Sequence, residues 1–172
     1  RQVIIVNKAY RYRLYPTIEQ KIMFAKTFGC ARFIYNKMLG DRLDYYKETG
    51  KRLNNTPAQY KKEFPWLKEV DSLALANAQI NLNKAYNNFW SNRKHFGKPS
   101  FKSKKTGHAS YSTNNQHGSV RIEGNKVKLP KIGWVKLCLH RLLMENSTIK
   151  TVTISKTPSG KYLSLIHISE PT

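Results

Sequence analysis

Apolar and polar positions alternate along this chain with a period of two, then with a helical period, then with two again. Across residues 3–15, Tyr10, Tyr12 and Leu14 alternate with Arg11, Arg13 and Tyr15, the pattern of a strand with one apolar and one cationic face. Pro16 ends the run. Thr17-x-x-Gln20 then has the residues of a capping box, in which Thr17 accepts an orphan amide and Gln20 reaches back to the cap. A short helix is predicted next, with Ile18, Ile22, Ala25 and Phe28 on one stripe, and Gly29 can supply a left-handed stop. A second helix over 31–48 would bury Phe33, Ile34, Met38 and Leu39 before Gly50. Two helices and a tight turn over 18–49 have the outline of a helix-turn-helix, which helical hairpins of many kinds share. After Asn54, Asn55 and Pro57 a short helix leads to Pro65 and Trp66. Asp71 or Ser72 then caps a long helix reaching about Arg93, whose stripe is Leu75, Ala78, Leu82, Ala85 and Phe89. Its other positions, Asn77, Gln79, Asn81, Asn83, Asn87 and Asn88, form an amide-rich surface able to meet base edges or phosphate, or simply to face solvent. Beyond Gly97 the period returns to two. Strands are predicted over 119–123, 126–129, 134–140, 149–155 and 161–165, with hairpin turns at Gly124-Asn125 and Ser159-Gly160.

Charge narrows the partners. The 172 residues hold 31 Lys and Arg against 10 Asp and Glu, a formal net charge of +21, an imbalance that points to nucleic acid or an anionic surface. Between Ser72 and Met144 a single carboxylate, Glu123, stands against thirteen Lys and Arg. Such a stretch repels itself unless an anion lies against it, and phosphate backbone is the commonest one. Within it, Arg93, Lys94, Lys98, Lys102, Lys104 and Lys105 interleave with Phe96 and Phe101, which suits backbone neutralisation with stacking on a base. The same run also fits a solvated basic linker. No apolar run approaches the roughly 18–20 residues of a bilayer span, so no membrane partner is expected, and the expected location is the prokaryotic cytoplasm beside the nucleoid. Cys30 and Cys138 have neither disulfide-framework nor zinc spacing. The acids fall on helix faces or beside caps, not as the strand-borne cluster that two-metal phosphodiester cleavage needs. His95, His108, His117 and His140 lack ligand spacing, and there is no Gly-rich phosphate loop. No catalytic residue, metal ligand or cofactor is therefore assigned within this span.

Four blocks carry a family resemblance. Lys8-Ala9-Tyr10-Arg11-Tyr12-Arg13-Leu14-Tyr15-Pro16-Thr17, Phe28-Gly29-Cys30-Ala31-Arg32-Phe33-Ile34-Tyr35-Asn36, Pro65-Trp66-Leu67-Lys68-Glu69-Val70 and Lys128-Leu129-Pro130-Lys131-Ile132-Gly133-Trp134-Val135-Lys136 resemble the amino-terminal half of TnpB, also called OrfB. These are insertion-sequence proteins, once called transposases, that are ancestral to the type V CRISPR effectors. The resemblance runs from about Asn7 to Leu165. It implies an α+β fold: a split, oligonucleotide-binding-like wedge barrel made of a first strand (1–16) and later strands (110–165). A helical recognition domain (17–95) and a basic linker (96–109) would be inserted between them. In this family these parts hold a guide RNA derived from the transposon end and read a short motif beside a double-stranded DNA target. The RuvC-like nuclease with its magnesium, and a zinc module, would follow in a carboxy-terminal half beyond these residues. The resemblance also carries over Asn7, Lys8, Tyr10, Ser72, Asn77 and a loop with Thr113, Asn114 and His117 as groups that meet nucleic acid. Residues 53–60 are shorter than usual, and Ala76 stands where relatives often have Gln, which bears on how the target motif is read. A stand-alone helix-turn-helix module of a transposase or repressor, and a basic ribosomal-type RNA-binding protein, are the rival classes. The matched blocks beyond the first two helices weigh against both.

Residues 163–172 can be written as CTG TCT CTT ATA CAC ATC TCC GAG CCC ACG, which resembles a translated sequencing-library adapter. On that reading the genuine chain fades out near Leu163 to Leu165, and His167 and Glu170 have no functional partner. The other reading is a genuine last strand over 162–168 with a short tail.

Overall fold

The computed structural model describes residues 2–138 and 146–171. It divides into a discontinuous unit, Arg1–Ala25 with Thr106–Thr172, and a continuous insertion, Lys26–Lys105.

The discontinuous unit is a sheet of seven strands: β1 Ile5–Tyr15, β2 Ala109–Asn114, β3 Arg121–Glu123, β4 Lys126–Leu129, β5 Gly133–Leu137, β6 Thr148–Lys156 and β7 Tyr162–Pro171. All its pairings are antiparallel, in the order β2-β6-β7-β1-β5-β4-β3. β1, which precedes the insertion, is thus central among strands that follow it. It pairs with β7 from Ile5↔Pro171 to Leu14↔Tyr162 and with β5 at Leu14↔Leu137. The alternation read from sequence holds: Tyr12 and Leu14 are buried while Arg11, Arg13 and Tyr15 are exposed. A one-residue slip would put both arginines inside, so burial fixes the register. Val127, Leu129, Val135, Leu137, Val152, Ile154, Ile166 and Ile168 are buried with them. Both predicted hairpin turns form, with Gly124 and Gly160 at φ 58° and 88°. The end of the strand predicted over 134–140 lies outside the described residues, as does His140.

Three expectations for this unit change. The split barrel is an open sheet among the described residues, with β2 and β3 as its edges. Those edges are consecutive in the chain, joined only by residues 115–120. Six strand spacings would set the edges of a flat sheet about 29 Å apart, whereas the connection reaches at most about 24 Å, so the sheet is curled. β2 itself was not predicted as a strand: Ala109-Ser110-Tyr111-Ser112-Thr113-Asn114 has one large apolar residue, so its pattern is faint. Finally, β7 continues to Pro171, past the strand expected over 162–168, and Glu170 has a structural partner. It is 3% exposed and 2.9 Å from Lys8 Nζ. The alternation of residues 163–170 falls in step with β1 and directs Glu170 onto that lysine.

α1, Ile18–Thr49, begins in the first unit and continues into the insertion as one helix of 32 residues. Its capping box forms: Thr17 N donates to Gln20 Oε1 (2.9 Å) and Gln20 N to Thr17 Oγ1 (3.2 Å). Gln20 Nε2 also donates to the Trp134 carbonyl of β5 at 2.7 Å. Phe24 stacks on Tyr162 with ring centroids 5.7 Å apart. The predicted stop at Gly29 is absent. Gly in a helix costs about 1 kcal/mol, too little to outweigh the buried residues on both sides of it, Phe24, Phe28, Cys30, Ala31 and Ile34. Of the predicted stripe, Phe28 is buried, but Ile18 and Ile22 are 76% and 55% exposed and Phe24 is buried instead. In the insertion, α1 packs with single helical turns Pro57–Tyr60 and Pro65–Glu69 and with α2, Ser72–Ser91. Ile34, Met38, Leu39, Leu67, Leu75 and Leu82 are fully buried there. Asp71 caps α2, accepting from Leu73 N at 3.0 Å.

Candidate nucleic-acid interface

Within the sheet unit, β1 carries five of the residues singled out from sequence. Arg11 and Arg13 project from its exposed face, and the Arg13 guanidinium lies 5.1 Å from the Tyr15 ring centroid. Asn7 is exposed. Lys8 is ion-paired with Glu170, to which Tyr10 Oη and Ser147 Oγ also donate. The Lys8 ammonium and these donors hold the Glu170 carboxyl below the ordinary carboxylate range. Lys8 and Tyr10 are therefore tied into the sheet, which leaves Arg11 and Arg13 as the projecting cations of the strand. The three residues expected on a loop separate. Thr113 lies on β2 at 0% exposure, so its side chain cannot meet a ligand. Asn114 is half-buried at the end of the same strand, and its carbonyl accepts from Ser119 Oγ at 3.4 Å. His117 alone is exposed, in the left-handed region at φ 53° within the connection to β3.

Within the insertion, Ser72 is exposed at the first position of α2, whereas Asn77 turns its Nδ2 back to the Leu73 carbonyl at 2.8 Å. Arg93, Lys94, Lys98, Phe101, Lys104 and Lys105 are exposed. Their segment is anchored at one point. Asn36 donates Nδ2 to the Lys102 carbonyl (2.9 Å) and accepts from Lys102 N (2.7 Å), and Lys102 Nζ sits 4.4 Å from the Tyr35 ring centroid. Desolvation there pushes the Lys102 ammonium below its ordinary value. Lys102 is exposed too, but its backbone ties to Asn36 and its ammonium's seat on Tyr35 make it less available to a phosphate than Lys104 and Lys105.

The insertion also contains a cleft of about 660 Å³. α1 contributes Arg42 and Tyr46, the chain after it Arg52 and Asn54, α2 Asn83, Tyr86, Asn87 and Trp90, and the basic segment Arg93 and Lys98. No carboxylate lines it. Arg52 and Arg93 both lie on Trp90, their guanidinium carbons 4.6 and 4.5 Å from the ring centroid. Arg42 is held deeper: Nε donates to Asn55 Oδ1 at 2.7 Å, Nη1 to Asn83 Oδ1 at 2.8 Å, and its guanidinium carbon is 5.8 Å from the Tyr86 centroid. Behind it, buried Asn55 donates to Tyr60 Oη (2.8 Å) and to the Met38 carbonyl (3.3 Å). Tyr60 donates to Asp41 Oδ2 at 2.7 Å, and burial together with that bond pushes its pKa up to about 12. Sequence reasoning found Arg93 and Lys98 but missed Arg42, Tyr46, Arg52, Tyr86 and Trp90. The spacing of Asn83, Tyr86, Asn87 and Trp90, three and four apart on one helix face, was the available signal.

Several acids have structural partners: Asp41 with Tyr60 and Lys37, Asp71 at the α2 cap, Glu69 with Lys26 and Glu170 with Lys8. Among the described residues, no three of His, Cys, Asp and Glu gather as a metal ion would require. No helix among them is long and apolar enough to cross a membrane.

Comparison with known proteins adds a family. A family model described as a helix-turn-helix domain, of the OrfB type, matches residues 6–51. A Streptomyces pristinaespiralis protein named "Putative RNA-guided DNA endonuclease" is 31% identical over 169 residues, covering 91% of this chain and 40% of the relative. Escherichia coli K12 InsQ, of the same name, is 26% identical over 170 residues, covering 95% of this chain and 41% of the relative. Virulence protein VsdF of Salmonella dublin is 33% identical over 111 residues, covering 56% of this chain and 93% of the relative. The chain thus spans about two fifths of the length of the first two.

Proposed function

The chain belongs to the OrfB family, and from that premise we propose that it forms the guide-RNA-binding and target-DNA-binding part of an RNA-guided DNA endonuclease of insertion-sequence type. The observation that carries this reading is uncompensated charge. Twelve Lys and Arg lie between residues 84 and 136, and none of them makes an ion pair among the described residues. Phosphates would supply the missing anions, with release of their condensed counterions. The curled sheet, assembled from both sides of the insertion, is consistent with a split wedge barrel, and the insertion with a recognition domain. The helix-turn-helix family match over residues 6–51 falls on β1 and on α1, which runs unbroken through Gly29.

Strand cleavage is assigned to other parts of such a protein. That no three of His, Cys, Asp and Glu gather among the described residues supports placing the magnesium and zinc sites outside them. Gel-shift titration of the purified chain against structured RNA and duplex DNA tests the binding claim: retention of both at low salt is expected, and binding of neither would overturn it. Incubation with magnesium, a matched guide and target DNA should leave the DNA intact. Cleavage that survives repurification would place an active site within these residues.

A further inference from the structure

We propose that the cleft of the helical insertion takes one unpaired nucleotide of a structured nucleic acid, its base against Tyr46 and Tyr86 and its phosphate among Arg52, Arg93 and Lys98. This rests on the nucleic-acid reading above and assigns it a specific subsite.

Volume, charge and surface chemistry each restrict the occupant. About 660 Å³ falls within the roughly 300–1,000 Å³ of small-ligand clefts, which suits a single nucleotide. Four cations and no carboxylate line the space. Arg52 and Arg93 rest on aromatic rings but make no ion pair among the described residues, so two like charges share Trp90 without an anion between them. A phosphate is the group that planar guanidinium forks and a lysine hold best. The aromatic walls favour a flat π-system over an aliphatic ligand, and the rings are sequence-tolerant platforms because every base has a π-face. The amides add an edge reader. Arg42 occupies the Asn83 carbonyl oxygen, which leaves Asn83 Nδ2 to donate, and a donor there matches the acceptor atoms of a base edge. Arg42 is itself fixed by Asn55, so this donor is set in place before any ligand arrives.

The probe is an RNA hairpin with a single 2-aminopurine bulge, compared with a fully paired hairpin of equal length, and the DNA counterparts of both. The 172-residue chain should bind the bulged RNA about tenfold more tightly than the paired one and change the probe's fluorescence, a factor within the range measured for stacking one base. Tyr46→Ala, at a half-exposed position, and the pair Arg52→Gln with Arg93→Gln should each remove most of that preference while the circular-dichroism melting curve is retained. A preference shared by the DNA pair would assign recognition to base and phosphate, and one confined to RNA would add the ribose. Equal binding of bulged and paired hairpins, or an undiminished preference in the variants, overturns the subsite and leaves the nucleic-acid reading standing. Failure to bind any hairpin overturns both.

Discussion

The sheet unit and the helical insertion are both cationic, but they hold their charge by different means. On β1, Arg11 and Arg13 point outward because the alternate residues Tyr12 and Leu14 are buried, so a period-two pattern alone places the charge along an exposed strand face. In the insertion, Arg42, Arg52 and the pair Arg93 and Lys98 come from three stretches of chain and meet around Tyr86 and Trp90 in a concave, acid-free cleft. An alternating strand face offers phosphates a row of charges and carries no sequence information. A cleft with rings and a fixed amide can distinguish an unpaired base from a paired one.

The largest expected effect comes from breaking the insertion alone. Leu82 is fully buried on α2 one position before Asn83, and Leu82→Ala should cost about 2–5 kcal/mol in a denaturant titration. Any preference for a bulged hairpin should fall with it, while low-salt binding through Arg11 and Arg13 persists. Parallel loss of both would mean that the two regions do not divide the work. Next is Asn55→Ala, which strips partners from Arg42 Nε and Tyr60 Oη and should cost about 1–3 kcal/mol, with binding to fully paired RNA unchanged.

The legibility of the molecule follows the same division. The β1 pattern, the Thr17–Gln20 box, β4 and both hairpin turns were readable because each depends on neighbours within a few residues. β2 was not, since small polar residues hide its period, and the continuity of α1 was not, because Gly29 signals a stop that only packing on both sides overrides. Of the candidate nucleic-acid-binding residues, the basic run was legible as charge. That Lys102 is tethered to Asn36 and Tyr35, that Thr113 is buried and that Lys8 is paired with Glu170 are tertiary facts. The arginine–tryptophan cleft was illegible for the same reason: Arg52 and Trp90 are 38 positions apart, and only folding brings them together.

Smaller effects sharpen the comparison. Lys104→Ala with Lys105→Ala should shallow the log–log salt slope of RNA binding by about two, one for each phosphate that is no longer neutralised, and adding Lys102→Ala should change it little. A third full unit would show that Lys102 leaves Tyr35 to reach a phosphate. In the sheet unit, the Glu170 carboxyl is held below its ordinary range by Lys8, so its contribution to stability is present above the unfolded carboxylate pKa and is lost as pH falls through the folded value. Lys8→Met should therefore flatten the acid limb of melting temperature against pH, and an unaltered limb would mean that the pair contributes nothing.

The most direct test of the account is the salt dependence of binding by the unaltered chain. If its uncompensated cations meet phosphates, log K for structured RNA should fall linearly against log salt with a slope of roughly −4 or steeper, as neutralising five or more phosphates requires. A slope between zero and about −1 would mean that these cations meet at most one phosphate, contradicting the assignment of the chain as a nucleic-acid-binding module.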